Sequence, residues 1–294
     1  MELANPATPV EAFEVVRGRL FGLAYRMLGS RADAEDVVQE AYVRWHQAPH
    51  EAIRQPEAWL VTAATRLAID RLRAARTARD AYSGPWLPEP LFDTSPPAPD
   101  DAVDLESDLS MAFMVLLERL GPEERAAFLL HDVFETGYDA IARALDKSEQ
   151  ACRQLVHRAR KRVRGPRQRF EASAAAHRKL LDAFTAAARA QDEAALLALF
   201  TPDATWIADG GGVVHASPRP LVGAERLSRL VLGLHRLYER HGARLEPARV
   251  NGAPGLVLQV AGKVHATFAI EAAGDRIAGV YVVLNPAKLA TARG

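Results

Sequence analysis

The chain is poor in several things, and each shortage closes off a class of function. Its single cysteine, Cys152, leaves no internal disulfide framework and no Cys-rich zinc site, which suits a reducing cytoplasm. No apolar run approaches the roughly 18 residues a membrane helix needs. The opening MELANPATPVEAFEVV lacks the basic start and apolar centre of a signal peptide, so a soluble, cytoplasmic protein without membrane partners is expected. No P-loop, GxGxxG, GxSxG or HExxH pattern occurs. No catalytic residue, cofactor or metal site is therefore expected. Net charge is also absent, with 37 Lys and Arg against 37 Asp and Glu. That balance is not local: residues 89–108 carry seven acids and no base, and residues 151–170 carry eight bases and no acid. Partners respond to such local fields rather than to the sum.

A chain of 294 residues accommodates two or three domains. Residues 8–80 read as helices. From Ser30, with Asp33 completing a capping-box pattern, Ala34, Val37, Val38, Ala41, Tyr42 and Trp45 form one apolar stripe. Asp33, Asp36 and Glu40 fall opposite and make an acidic exposed face. A further helix starts at Pro56 and buries Trp59, Leu60, Ala63, Ala64, Leu67 and Ala68. It leaves Thr62, Arg66, Asp70 and Arg73 outside and ends in a basic run with Arg71, Arg76 and Arg79. Residues 81–107 form a linker rich in proline and acid, GPWLPEP and then TSPPAPDDAVD, extended and partly exposed. Trp86 and Leu87 are out of place on such a strip, because large apolar side chains seek burial.

Helices resume over 108–166. Gly121-Pro122 separates one helix from the next, PEERAAFLLHDVF. A short helix over Tyr138–Leu145, a turn at Asp146-Lys147-Ser148 and a helix from Ser148 follow, the pattern of a helix-turn-helix. The last helix buries Ala151, Cys152, Leu155, Val156 and Ala159, which makes Cys152 a packed thiol. It exposes Glu149, Gln150, Arg153, Gln154, His157, Arg158 and Lys161. A helix fits the DNA major groove, about 12 Å wide. Arg153, Arg158 and Lys161 suit phosphates or guanine edges, Gln150 and Gln154 suit adenine, and Glu149 suits a cytosine amine. The plainer alternative is a solvated basic helix. From residue 172 the character changes: one long helix, AAAHRKLLDAFTAAARAQDEAALLALF, then Trp206-Ile207, a turn at Asp209–Gly212 and a helix over about 224–241. RLEPARV, an Asn251-Gly252 hairpin signal, GLVLQV, VHATFAI and RIAGVYVVL follow. These predict an α+β domain with a curved antiparallel sheet.

DAEDVVQEAYVRW (33–45) and PEAWLVTAATRLAIDRLR (56–73) resemble the two signature helices of sigma region 2, and GPEERAAFLLHDVFETGYDAIARALDKSEQACRQLVHRARKRV resembles sigma region 4. Residues 8–165 are thus similar to extracytoplasmic-function (ECF) sigma factors. GPWLPEP and the last domain resemble the sigma J-like group, which carries a SnoaL-like, NTF2-fold extension. The chain departs from that group's pattern at Val213, where lysine is usual after the glycines, and at Ala287, where aspartate is usual in Asn285-Pro286-Ala287-Lys288-Leu289. The implied architecture is multidomain. A region 2 helical bundle spans 8–80, the linker 81–107, a region 4 helix-turn-helix 108–166 and an α+β SnoaL-like cone 172–294.

The resemblance implies roles as well. Asp33, Asp36, Gln39 and Glu40 would meet the β′ clamp helices of core RNA polymerase, and region 4 its β flap. Thr62, Arg66, Asp70 and Arg73 would hold the melted −10 element, where base pocketing and stacking are the expected physics. The helix from Ser148 would read the −35 element. The linker's 27 residues, at about 3.3 Å each, reach roughly 80–90 Å, and two turns of DNA need only about 70 Å. SnoaL relatives include cyclases with Asp and His in the cavity, for which Asp209, His215, His265 and Trp206 are the candidates here. Asp209 reads equally as a turn residue before glycines. The alternative reading of the whole chain is a SnoaL-type small-molecule enzyme fused to a DNA-binding regulator. The favoured expectation is regulatory. Trp86 and Leu87, with Pro88 and Glu89, are held by the last domain through Asp209, Gly210, Gly211, Gly212, Asn285 and Pro286, in place of a separate anti-sigma factor. Local packing of Trp86 on region 2 is the alternative. A small molecule in the SnoaL-like cavity completes the partners considered.

Overall fold

The computed structural model describes residues 8–93, 109–163 and 174–290. The linker beyond residue 93 up to 107, the end of the region 4 segment at 164–166, and residues 172 and 173 lie outside the described residues. In chain order the elements are α1 (Pro9–Leu28), α2 (Arg31–His46), α3 (Pro56–Asp80), β1 (Phe92–Asp93), α4 (Met111–Leu117), α5 (Pro122–Phe128), α6 (Tyr138–Leu145) and α7 (Glu149–Val163). They continue with α8 (Ala174–Arg189), α9 (Glu193–Leu199), β2 (Phe200–Asp209), β3 (Leu221–Val222), α10 (Ala224–Arg240), β4 (Arg244–Val250), β5 (Ala253–Val260), β6 (Lys263–Ala273), β7 (Arg276–Val283) and α11 (Pro286–Ala290). The chain divides into two compact units, Met1–Asp80 with Leu117–Val163, and Ala81–Leu116 with Arg164–Gly294.

The first unit is all helical. Thr8 and Glu11 close a capping box on α1, and Gly29, at φ 65°, ends it. Ser30 caps α2 by accepting from the Asp33 N–H at 3.3 Å. α1, α2 and α3 pack on one another around Leu20, Leu23, Val37, Ala41, Leu60 and Ala64. α3 also packs on α5 and α6. A π-helical turn, Leu129–Val133, extends α5. Asp146, at φ 52°, turns α6 into α7, and the Ser148 Oγ accepts from the Ala151 N–H at 3.2 Å. Helix-turn-helix geometry is thereby complete.

The second unit is built on a sheet ordered β1-β4-β5-β6-β7-β2-β3. Two expectations change. The long helix predicted from residue 174 breaks into α8 and α9, because Gln191 adopts φ 55° and Asp192 caps the new start, accepting from the Ala195 N–H at 2.9 Å. The sheet is mixed rather than wholly antiparallel, because β2 returns to pair with β7 in parallel. The hairpin at Asn251-Gly252 forms with φ of 53° and 76°, the left-handed pair a tight turn requires. Alternation along β2 separates the two faces of the sheet. Trp206 and Ala208 join α8, α9 and α10 in one core, while Ile207 joins Leu87, Met111, Tyr281, Val283 and Leu289 in a second core on the other face.

Candidate functional site

The expectation of a partly exposed linker fails at Leu87–Pro90, which is buried in the second unit. The cause is a buried acid. Asp209, fully buried at the end of β2, accepts through Oδ1 from the Tyr82 hydroxyl at 2.6 Å and the Gly211 N–H at 3.0 Å. Its Oδ2 accepts from the Leu87 N–H at 2.9 Å and the Lys288 ammonium at 2.7 Å. Lys288 also donates to the Leu87 carbonyl. Its Nζ lies 4.2 Å from the centre of the Trp86 ring and 5.0 Å from that of Tyr82, in cation–π range. Asn285 Nδ2 donates to the Tyr82 hydroxyl at 2.8 Å. Burial, reinforced by the Asp209 carboxylate, pushes the Tyr82 hydroxyl well above the ordinary tyrosine range. A buried carboxylate is tolerated because four donors, from Tyr82, Gly211, Leu87 and Lys288, face it.

The glycines allow that approach. A side chain on Gly210 would collide with the Val214 carbonyl, and one on Gly211, at φ 65°, with the Asn285 amide. Gly212 lies beside Ser83. Farther along, the linker extends the sheet. Leu91 donates to Asn251 Oδ1 at 3.1 Å, the Asn251 N–H donates back to the Leu91 carbonyl at 2.6 Å, and β1 pairs antiparallel with β4. Pro88 and Glu89 are buried, whereas Pro286 is exposed at the start of α11. Val213 is exposed, as is Ala287, whose N–H bonds Asn285 Oδ1 at 3.0 Å. Sequence reasoning missed Tyr82, Lys288 and the second use of Asn251. Lys288 had a visible signal as the one cation in the apolar stretch VYVVLNPAKLA.

The three groups of residues expected at promoter DNA and core polymerase all lie in the first unit. Gln150, Gln154, His157 and Lys161 are exposed along α7. Glu149 pairs with Arg153 at 2.7 Å, and Arg153 also lies over the Tyr138 ring. Arg158 is exposed but held at 3.0 Å by Glu124. Cys152 is buried, and burial pushes its thiol upward. On α3, Asp70 is exposed, Thr62 is half-buried, and the arginines are engaged. Arg66 donates to the carbonyls of Ala144 and Arg143 at 3.0 and 2.7 Å, at the C-terminal end of α6. Arg73 pairs with Glu123 at 2.8 Å. On α2 the acidic face is partly neutralised, because Arg71 reaches Asp36 at 2.9 Å, Glu40 at 3.6 Å and Asp33 at 4.0 Å. Gln39 beside it is exposed.

The cyclase candidates are not gathered. Trp206 lines a cavity between the helices and the sheet, whereas Asp209, three residues on, points to the opposite face. His215 is exposed beyond the glycine turn, and His265 is exposed 5.8 Å from the Tyr238 ring centre. No helix among the described residues is long and apolar enough to cross a membrane.

Comparison with known proteins agrees with this geometry. The Sigma-70 region 2 family matches residues 12–78, and the Sigma-70, region 4 family matches residues 110–163. ECF RNA polymerase sigma factor SigJ of Mycobacterium tuberculosis is 39% identical over 254 residues, spanning 84% of this chain and 80% of that protein. Probable ECF RNA polymerase sigma factor SigI of the same species is 31% identical over 281 residues, 95% and 93% of the two chains. The crystal structure of Mycobacterium tuberculosis SigJ superposes with a TM-score of 0.77 at 34% identity, covering 97% of this chain and 99% of that one. Matched over both helical regions and through the sheet domain, the chain belongs to the ECF RNA polymerase sigma factors.

Proposed function

We propose that the chain directs core RNA polymerase to promoters, with region 4 on the −35 element and region 2 on the melted −10 element. Its C-terminal domain regulates that activity by holding the linker. The work is done in the cytoplasm and needs no separate anti-sigma factor. The observation that carries the regulatory part is Asp209, whose carboxylate receives Tyr82 and Leu87 from the linker and Lys288 from the last helix. Burying a side chain such as Leu87 stabilises by roughly 1.5–3 kcal/mol before ordering costs, enough to bias a domain equilibrium yet reversible. Within the first unit, Arg66 and Arg73 are tied to region 4, so engagement of a −10 strand requires those contacts to open. Promoter opening then follows from tighter binding of the single-stranded state than of duplex.

The test is run-off transcription by core polymerase with the full chain and its Trp86→Ala variant. Trp86→Ala removes the ring beneath Lys288 and is expected to change transcript yield several-fold while core polymerase binding is kept. Unchanged transcription with a lowered melting temperature would leave Trp86 a packing residue and refute regulation through the linker. Failure of the full chain to bind core polymerase would remove the promoter-directing reading itself.

A further inference from the structure

The second unit contains a cavity of about 570 Å³ on the side of the sheet away from the linker. That volume lies within the range of small-molecule sites. Its floor is apolar and aromatic, with Phe184 from α8, Trp206 from β2, Leu258 from β5 and Phe268 from β6. Trp206 and Phe268 meet edge to face at 6.1 Å. Charge is confined to the opening. Two carboxylates there already have partners: Glu246 accepts from Gln259 at 3.0 Å, and Glu239 lies 3.9 Å from His235. Two arginines do not. Arg189, at the end of α8, and Arg244, at the start of β4, line the cavity, are exposed, and make no hydrogen bond or ion pair among the described residues. The charged groups left without a partner at the mouth are therefore the two guanidiniums, which stand beside the two carboxylates above an apolar and aromatic floor.

We infer that this cavity binds a small carboxylate with an aromatic or similarly apolar body, the body on Trp206 and Phe268 and the carboxylate on Arg189 and Arg244. A guanidinium recognises a carboxylate through two parallel hydrogen bonds, which a neutral head group cannot reproduce. The apolar floor gives affinity without selecting the head, and the arginines supply the selection. The inference does not draw on the linker contacts of Asp209.

Calorimetric titration of the full chain with naphthoate and with naphthalenemethanol tests it, because the two share a ring system and differ in head charge. Naphthoate is expected to bind saturably at one site and more tightly than the alcohol. The double variant Arg189→Gln/Arg244→Gln, both changes at exposed positions, is expected to weaken naphthoate by about tenfold or more and leave the alcohol unchanged. Absence of saturable naphthoate binding overturns the site. Equal naphthoate affinity in the double variant overturns the arginine assignment. Transcription by the Trp86→Ala chain reports on the linker separately, so failure of one reading is not failure of the other.

Discussion

Lys288 and Asp209 illustrate how much rests on one pair of side chains. Both are largely removed from water and 2.7 Å apart. Lys288→Met leaves the carboxylate buried with its hydrogen-bond donors but without its counter-charge. Breaking such a pair from one side costs about 3–5 kcal/mol. The double variant with Asp209→Asn is expected to lose less than the sum of the single losses, a coupling read from urea unfolding of all four chains. Strict additivity would show that the two residues stabilise independently. His177 on α8 makes a separate case. Its Nε2 is buried without a hydrogen-bond partner among the described residues, and burial holds the imidazole below its ordinary value of about 6.5. The unfolded chain takes up that proton first, so the contribution is fully present above the ordinary value and is lost as pH falls through and below it. His177→Leu is expected to flatten the fall of the urea midpoint on acidification. An equal fall in both chains would place the acid sensitivity elsewhere.

Elements of regular period were the most legible part of the sequence. The buried and exposed faces of α7 and the hairpin at Asn251 could be read because period and turn chemistry are local. Pairings between distant segments could not. Counted from the sequence, α7 offers a dense basic surface. In the fold, Glu124 at the start of α5 takes Arg158 and Arg162 at 3.0 and 2.5 Å, and Asp132 takes Arg160 at 2.9 Å. Lys161 has no such partner among the described residues. For −35 recognition, Lys161→Ala is expected to weaken binding evenly across promoter sequences and lower the salt-dependence slope by about one. Gln154→Ala is expected to relax base preference instead. Arg158→Ala should cost more in stability of the helix-turn-helix than in salt slope, because its charge is already spent on Glu124. Fluorescence anisotropy over a range of salt concentrations, with urea titration alongside, separates the three. A slope unchanged by Lys161→Ala removes that residue from the phosphate contacts.

The linker is where reading from the sequence stopped short at the scale of the whole molecule. The resemblance led to the expectation that GPWLPEP meets the last domain, but nothing in the sequence announced that Tyr82 and Lys288 would complete the contact or that Met111 and Ala112 of α4 would join the same core. Proline spacing helps to explain the fit. Pro88 and Pro90 donate nothing, while the N–H groups of Leu87 and Leu91 find Asp209 and Asn251. Leu87, 1% exposed, packs with Met111, Val250, Tyr281 and Val283 on the outer face of the sheet. If the linker opens as a separate cooperative step, Leu87→Ala should act mainly on that step. The truncation costs about 2–5 kcal/mol, more than the roughly 1.4 kcal/mol that corresponds to a factor of ten. Hydrogen exchange is then expected to quicken more than tenfold at the amides of Leu87, Leu91 and Asn251, with amides between β5 and β6 unchanged. Equal acceleration in both places would mean that the linker is released only when the whole domain unfolds. A linker bound so completely would be part of the scaffold, and regulation would have to act elsewhere than at its release. Selective acceleration would instead give the clamp its own equilibrium, the quantity that a regulatory domain must be able to shift.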